Sequence, residues 1–151
     1  MDDAPILICY DGSDGAHRAI EVAARLLGTE RRAVVLDIGP EITAAESLAT
    51  LSPVVPGTAF EELNTDDAHR RAQTGAERAI TAGFTATPRA ELAAPTWEGI
   101  TDVADQLDAA VIVIGSRGLH GVREAVDGSV SHDVATHAGR PVLIVPPPSS
   151  H

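Results

Sequence analysis

Four short apolar runs set the problem this chain has to solve. They are Ile6-Leu7-Ile8-Cys9-Tyr10, Ala33-Val34-Val35-Leu36-Asp37-Ile38, Ala109-Ala110-Val111-Ile112-Val113-Ile114 and Pro141-Val142-Leu143-Ile144-Val145. A strand with one face in water alternates apolar and polar residues, whereas a nearly continuous apolar run needs cover on both faces. Between the runs lie segments with apolar residues at helical spacing, such as Ala16, Ile20, Ala23, Ala24 and Leu27, which stop at Gly28. Strands alternating with helices imply right-handed crossovers and a parallel sheet sandwiched between helices. The expected class is α/β, three-layer and doubly wound. Aromatic residues make up only 3% of the chain, so Val, Ile, Leu and Ala must fill the core.

The remaining segments can be placed around this frame. Asp11-Gly12-Ser13-Asp14-Gly15 is a dense turn signal after the first run, and Gly39-Pro40 closes the second. Residues 41–64 carry a weak pattern broken by Pro53, Pro56 and Gly57, and read as a partly helical or mobile loop. Asp66 to Ala82 reads as a polar amphipathic helix ending at Gly83. Ala86 to Ala94 reads as the least convincing strand, Trp97 to Leu107 as a helix, and Val130 to Ala138 as a helix stopped by Gly139. Pro146-Pro147-Pro148 cannot extend a ladder, so the end of the chain is expected to fray. The 151 residues show no repeat and no linker, which predicts one domain over residues 1–148 with a frayed tail at 149–151.

Charge narrows the function. The chain has 22 Asp plus Glu against 11 Arg, no Lys, and a net charge of −11. That field repels nucleic acid and anionic lipid at long range. The lack of Lys excludes a Walker-A loop, whose Lys touches the β- and γ-phosphates. Cys9 is the single cysteine, so no intrachain disulfide can form; this fits a reducing, cytoplasmic setting. The start, Met1-Asp2-Asp3-Ala4-Pro5, lacks the basic and long apolar regions of a signal peptide. No apolar stretch reaches the length of a membrane span.

In open α/β sheets, ligands sit outside the carboxyl ends of the strands, where strand order reverses. Two segments fall at such ends: Asp11-Gly12-Ser13, and a Gly-rich loop directly after the Ala109–Ile114 run. The loop reads Gly115-Ser116-Arg117-Gly118, nine residues from Leu119 to Asp127, then Gly128-Ser129-Val130-Ser131. Glycines let main chain turn tightly and approach a bulky anion. The helix expected to open at Gly128–Ser131 directs unpaired N–H groups and the positive end of its dipole at the loop. Ser129 and Ser131 add hydroxyls, and Arg117 adds a charge able to pair with phosphate. The bland alternative is a long turn followed by a Ser129 cap.

The spacing G-x2-G-x9-G-S resembles the ATP-binding members of the universal stress protein family, matching at Gly115, Gly118, Gly128 and Ser129. The apolar strand leading into Asp11-Gly12-Ser13 is similar too, as is the ending Gly139-Arg140-Pro141-Val142-Leu143-Ile144-Val145-Pro146. The resemblance implies a five-stranded parallel sheet of order 3-2-1-4-5. It implies ATP as ligand, often with a divalent cation such as Mg2+ or Mn2+. Asp11 would lie near the ribose and adenine, and Ile38 would offer its main chain to the adenine ring. Gly115, Arg117, Gly118, Gly128, Ser129, Val130 and Ser131 would hold the phosphates. It also implies a homodimer through the last strand, Val142 to Val145. Asp127 departs from the pattern, since ATP-binding relatives usually have an apolar residue there. A carboxylate about 5 Å from a phosphate charge opposes it by roughly 3 kcal/mol at an effective dielectric of 20.

Other residues fit plainer roles. Asp14 is the expected N-cap of the first helix. His132 and His137 are five apart and face different sides of a helix, which argues against a shared metal. His120 is expected in solvent, Cys9 as a small buried hydrophobe, and Trp97 as a packing residue. There is no nucleophile elbow, HExxH motif or Cys-based metal spacing. The expectation is therefore an ATP-binding regulatory or stress-response module and not an enzyme. The alternatives are an interaction module of the same fold without nucleotide, which Asp127 favours, and a slow ATPase.

Overall fold

A computed structural model describes residues 3–40, 57–116 and 130–148, without the side chains of Pro40 and residues 57–64. The elements run in the order β1 (Ile6–Cys9), α1 (Asp14–Leu27), β2 (Ala33–Pro40), α2 (Gly57–Thr81), β3 (Ala86–Ala93), α3 (Thr96–Leu107), β4 (Val111–Gly115), α4 (Val130–His137) and β5 (Val142–Val145). The sheet is five-stranded and parallel, in the order β3-β2-β1-β4-β5. The expected class and strand order are both present.

Alternate residues of each strand feed two separate cores. Ile6, Ile8, Tyr10, Val35 and Val113 face α1 and α2, where Ala16, Ala19, Ile20, Ala23, Ala76 and Ala79 receive them. Leu7, Cys9, Leu36, Ile38, Ile112 and Ile114 face α3 and α4, against Ile100, Val103, Ala104 and Val134. Small residues on the helices let them lie close to the sheet. The closest approaches are at two glycines: a methyl at Gly75 would lie 2.7 Å from Tyr10 and Val35, and one at Gly99 would lie 2.5 Å from Ala93 Cβ.

Three boundaries differ from the sequence reading, each for a physical reason. The N-cap of α1 is Ser13, in extended geometry, with its Oγ accepting from Ala16 N at 3.2 Å. Asp14 is instead the first helical residue, where its charge still faces the positive end of the helix dipole. Second, β2 runs through Gly39-Pro40, paired with Leu92 and Ala93 of β3. Leu36 accepts from Tyr10 N on the β1 side, and residues two apart in a strand share an orientation. Pro40 therefore turns its missing N–H toward the space beyond β1, and no β3 ladder bond is lost. Third, α2 starts at Gly57, well before Asp66; residues 57–64 are thus the helical part of the weakly patterned segment, and residues 41–56 lie outside the described residues. The tail residues 149–151 lie outside them as well. Pro146, expected to fray, has its carbonyl held by Arg18 Nε at 3.0 Å.

Candidate functional site

Strand order reverses between β1 and β4, so the crevice expected of this architecture opens beyond Tyr10 and Gly115. On the β1 side the chain leaves the sheet through Asp11-Gly12-Ser13. Gly12 sits at φ 84°, a left-handed conformation that glycine adopts without steric cost. Asp11 Oδ1 accepts from Ser13 N at 2.9 Å, which closes the turn and aims the carboxylate. Its other oxygen, Oδ2, is shielded from solvent and has no hydrogen-bond partner among the described residues. Buried polar atoms are nearly always paired, so an open acceptor at the mouth of a sheet marks a place for a donor.

Ile38 lies next to this turn. Its side chain is buried against α3, where Cδ1 lies 3.2 Å from a methyl built on Gly99. Its main-chain polar groups share the orientation of Leu36, toward the side that β1 has left after the Tyr10 N to Leu36 O bond of 2.8 Å. The structure thus brings Asp11 and the Ile38 main chain to one corner. Across the crevice Gly115 ends β4, paired with Val145 of β5. Val130 opens α4, and Ser131, on its first turn, is buried. Arg117, Gly118, Gly128 and Ser129, with His120 and Asp127, lie outside the described residues.

Sequence reasoning missed an ion pair beside this corner. Asp37 is 2% exposed, yet it faces the α1 and α2 side near the end of β2. Arg71, 34 residues later on α2, meets it with a two-pronged contact: Nε to Oδ2 at 2.6 Å and Nη2 to Oδ1 at 3.2 Å. The hydrogen bond to Asp37 and the charges of Asp37, Asp67 and Asp11 push the guanidinium pKa up, against the opposing effect of burial. The signal was visible as a lone carboxylate in an apolar run, because a buried Asp almost always has a partner. Below this level the Tyr10 hydroxyl meets His17 Nε2 at 2.8 Å. Burial raises the Tyr10 pKa, with the Arg78 charge opposing and Asp11 and Asp37 reinforcing. Burial and the Asp11 charge push the Cys9 thiol up to about 12, so it is a protonated core residue.

The outlying predictions can be placed as well. Trp97 packs on the α3 side and stacks on His137, with ring centroids 4.3 Å apart. His137 also contacts its own helix through Asp133 O at 2.9 Å. Among the described residues no group of three or more His, Cys, Asp or Glu is placed to hold a metal, and no helix is long and apolar enough to cross a membrane.

Comparison with known proteins decides the family. The model of the universal stress protein family matches residues 4–146. The chain belongs to the universal stress protein family. It is 30% identical over 144 residues to the universal stress protein YxiE of Bacillus subtilis, covering 93% of this chain and 97% of that one. Its fold is similar to that of the protein MJ0577, with a TM-score of 0.75, 22% identity and coverage of 99% and 100%. It is also similar in fold to the universal stress protein of Archaeoglobus fulgidus in complex with dAMP, with a TM-score of 0.63, 21% identity and coverage of 96% and 99%. That relative binds an adenine nucleotide.

Proposed function

We propose that this universal stress protein is a regulatory, stress-response module that binds ATP at the carboxyl ends of β1 and β4 and carries no catalytic machinery of its own. The observation that carries the reading is the Asp11 carboxylate: one oxygen is fixed by the turn, and the other is a buried acceptor without a partner among the described residues. A sugar hydroxyl is the donor that such a site would take. The main chain of Ile38 would meet the polar edge of adenine, whose ring nitrogens and amino group match an amide and a carbonyl. The dAMP complex of the Archaeoglobus relative supports adenine as the base.

The phosphates would lie toward Gly115, Arg117, Gly118, Gly128, Ser129, Val130 and Ser131. There the glycines allow close approach, and the start of α4 supplies N–H groups and a favourable dipole. Mg2+ or Mn2+ would be carried on the triphosphate and offset part of its charge in a chain of net charge −11.

The partner would be a second copy. β5 is an edge strand, contains no Pro, and leaves Ile144 37% exposed. Pairing of two copies along Val142 to Val145 would satisfy both edges.

Isothermal titration calorimetry with ATP, with and without Mg2+, tests the reading. A dissociation constant at or below about 1 mM supports it, and Asp11→Ala should weaken binding by roughly tenfold or more. A constant far above that range overturns it. Native mass spectrometry of freshly purified protein reads the dimer and any co-purified nucleotide in one measurement.

A further inference from the structure

Packing alone gives no reason for the Asp37–Arg71 pair. A buried ion pair is weak grounds for stability, because desolvation offsets much of the attraction. The same position on the opposite face of β2 is held by apolar Leu36 and Ile38. Placement distinguishes Asp37 from an ordinary core residue: it is next to Ile38, at the level where β1 departs.

Arg71 reaches from this anchor to the turn that carries Asp11. Its Cδ lies 4.0 Å from where a methyl on Gly12 would sit. The side chain thus runs under Gly12 with its head fixed on Asp37 by two bonds. A planar guanidinium held at both prongs fixes the direction of its stem in a way a point charge cannot. The stem therefore lies beside the Asp11-Gly12-Ser13 turn. The arrangement also puts one positive charge among Asp11, Asp37 and Asp67, all of which act on the guanidinium.

We propose that Arg71, clamped by Asp37, is a positioning residue for Asp11: it holds the turn where the free carboxylate oxygen meets a sugar hydroxyl of the bound nucleotide. This rests on the nucleotide-binding reading above and deepens it, because it assigns the β2–α2 corner to the nucleoside half of the ligand. The phosphate half then depends on other groups.

The test is the preference of the full chain for ATP over 2′,3′-dideoxy-ATP, which lacks the sugar hydroxyls. Both constants are read by calorimetry on wild type, Arg71→Met, Arg71→Lys and Asp37→Asn. Wild type should prefer ATP by about tenfold or more. Arg71→Met should bring that preference to about one by weakening ATP and leaving dideoxy-ATP within about twofold. Asp37→Asn should follow it, and Arg71→Lys should restore part of the preference. A general loss of folded protein lowers the stoichiometry of both ligands and leaves their ratio alone, so it cannot imitate this result. If Arg71→Met does not fold, the Asp37→Asn/Arg71→Gln double variant, free of buried charge, should show the same collapse. An unchanged preference in the variants, or no preference in wild type, overturns the positioning role while nucleotide binding stands. Wild type that binds neither ligand overturns the nucleotide reading, and this inference with it.

Discussion

The two faces of the sheet are built from alternate residues of the same strands, but along β1, β2 and β4 only one of them carries charge; β3, at the edge, adds the Arg89–Glu91 pair on the α3 side. Toward α3 and α4 these three strands present Leu7, Cys9, Leu36, Ile38, Ile112 and Ile114, with nothing more polar than a thiol. Toward α1 and α2 they present Ile6, Ile8 and Val35, and then, at the carboxyl end, Tyr10 bonded to His17 and Asp37 bonded to Arg71. Within β2 the change takes one residue, since successive side chains point to opposite faces. Along these three strands one face is thus packing throughout. The other is packing at the amino end and polar at the end where the crevice opens.

The strongest challenge to this contrast is to hollow out the apolar face. Ile112 is fully buried in β4, and Ile112→Ala should cost about 4 kcal/mol in chemical denaturation, from lost transfer energy plus the cavity. A loss under about 1 kcal/mol would mean that this face is loosely packed.

Next in size is the conversion of the charged face into an apolar one. Arg71→Met leaves the Asp37 carboxylate buried without its main cation, and should destabilise by about 3 kcal/mol. Adding Asp37→Leu should recover most of that loss, because removal of both charges removes the desolvation penalty. Equal stability of the single and double variants would show that the pair matters for packing volume and not for charge.

The two close-approach glycines compare the faces directly. Gly75→Ala drives a methyl into the Tyr10 ring and Val35, and Gly99→Ala drives one into Ala93 Cβ. Overpacking of this kind should cost about 2 kcal/mol at each position, read as a lowered melting temperature. The Gly75 variant disturbs the strand end that leads into Asp11, and the Gly99 variant also brings a methyl 3.2 Å from Ile38 Cδ1, so both should weaken ATP binding. Unchanged ATP binding in both would mean that neither strand end positions the nucleotide.

The smallest effect is a pH dependence on the apolar face. The Cys9 thiol is raised from 9.0 to about 12, first by burial and then by the Asp11 charge. Above pH 9 the unfolded chain gives up this proton and the folded chain keeps it. Stability is therefore complete below about pH 9 and falls as pH rises toward 12, by about 1.4 kcal/mol per unit from this residue. Tyr10, also raised, adds a loss of the same sign. Cys9→Ala should flatten the slope in urea melts between pH 8 and 10.5, and an unchanged slope would assign the effect to other groups.

Much of the fold was legible because its signals are local. Apolar runs without alternation marked β1, β2, β4 and β5, and helical spacing with a glycine stop marked α1. The weak pattern before Asp66 hid the first turns of α2, where helix is formed without a clear apolar stripe. At the site, Asp11 was placed from its position at a strand end and Ile38 from the family resemblance, and the structure sets them at one corner. Ser13 was not recognised as the cap, because Asp14 is an equally good capping residue and only the backbone angles choose between them.

Local residue order is enough to dictate which segments must be buried on both faces and where main chain must turn. These follow from side-chain chemistry and spacing within a few residues. Which strands extend, and which distant charges meet, was left to the tertiary structure. β2 passes through Gly39-Pro40 because β3 is beside it to pair with, and Asp37 tolerates burial because a helix 34 residues on delivers Arg71. Both depend on a neighbour that local sequence cannot name, since the cost of a missing bond or an unpaired charge is set by what the fold brings within reach.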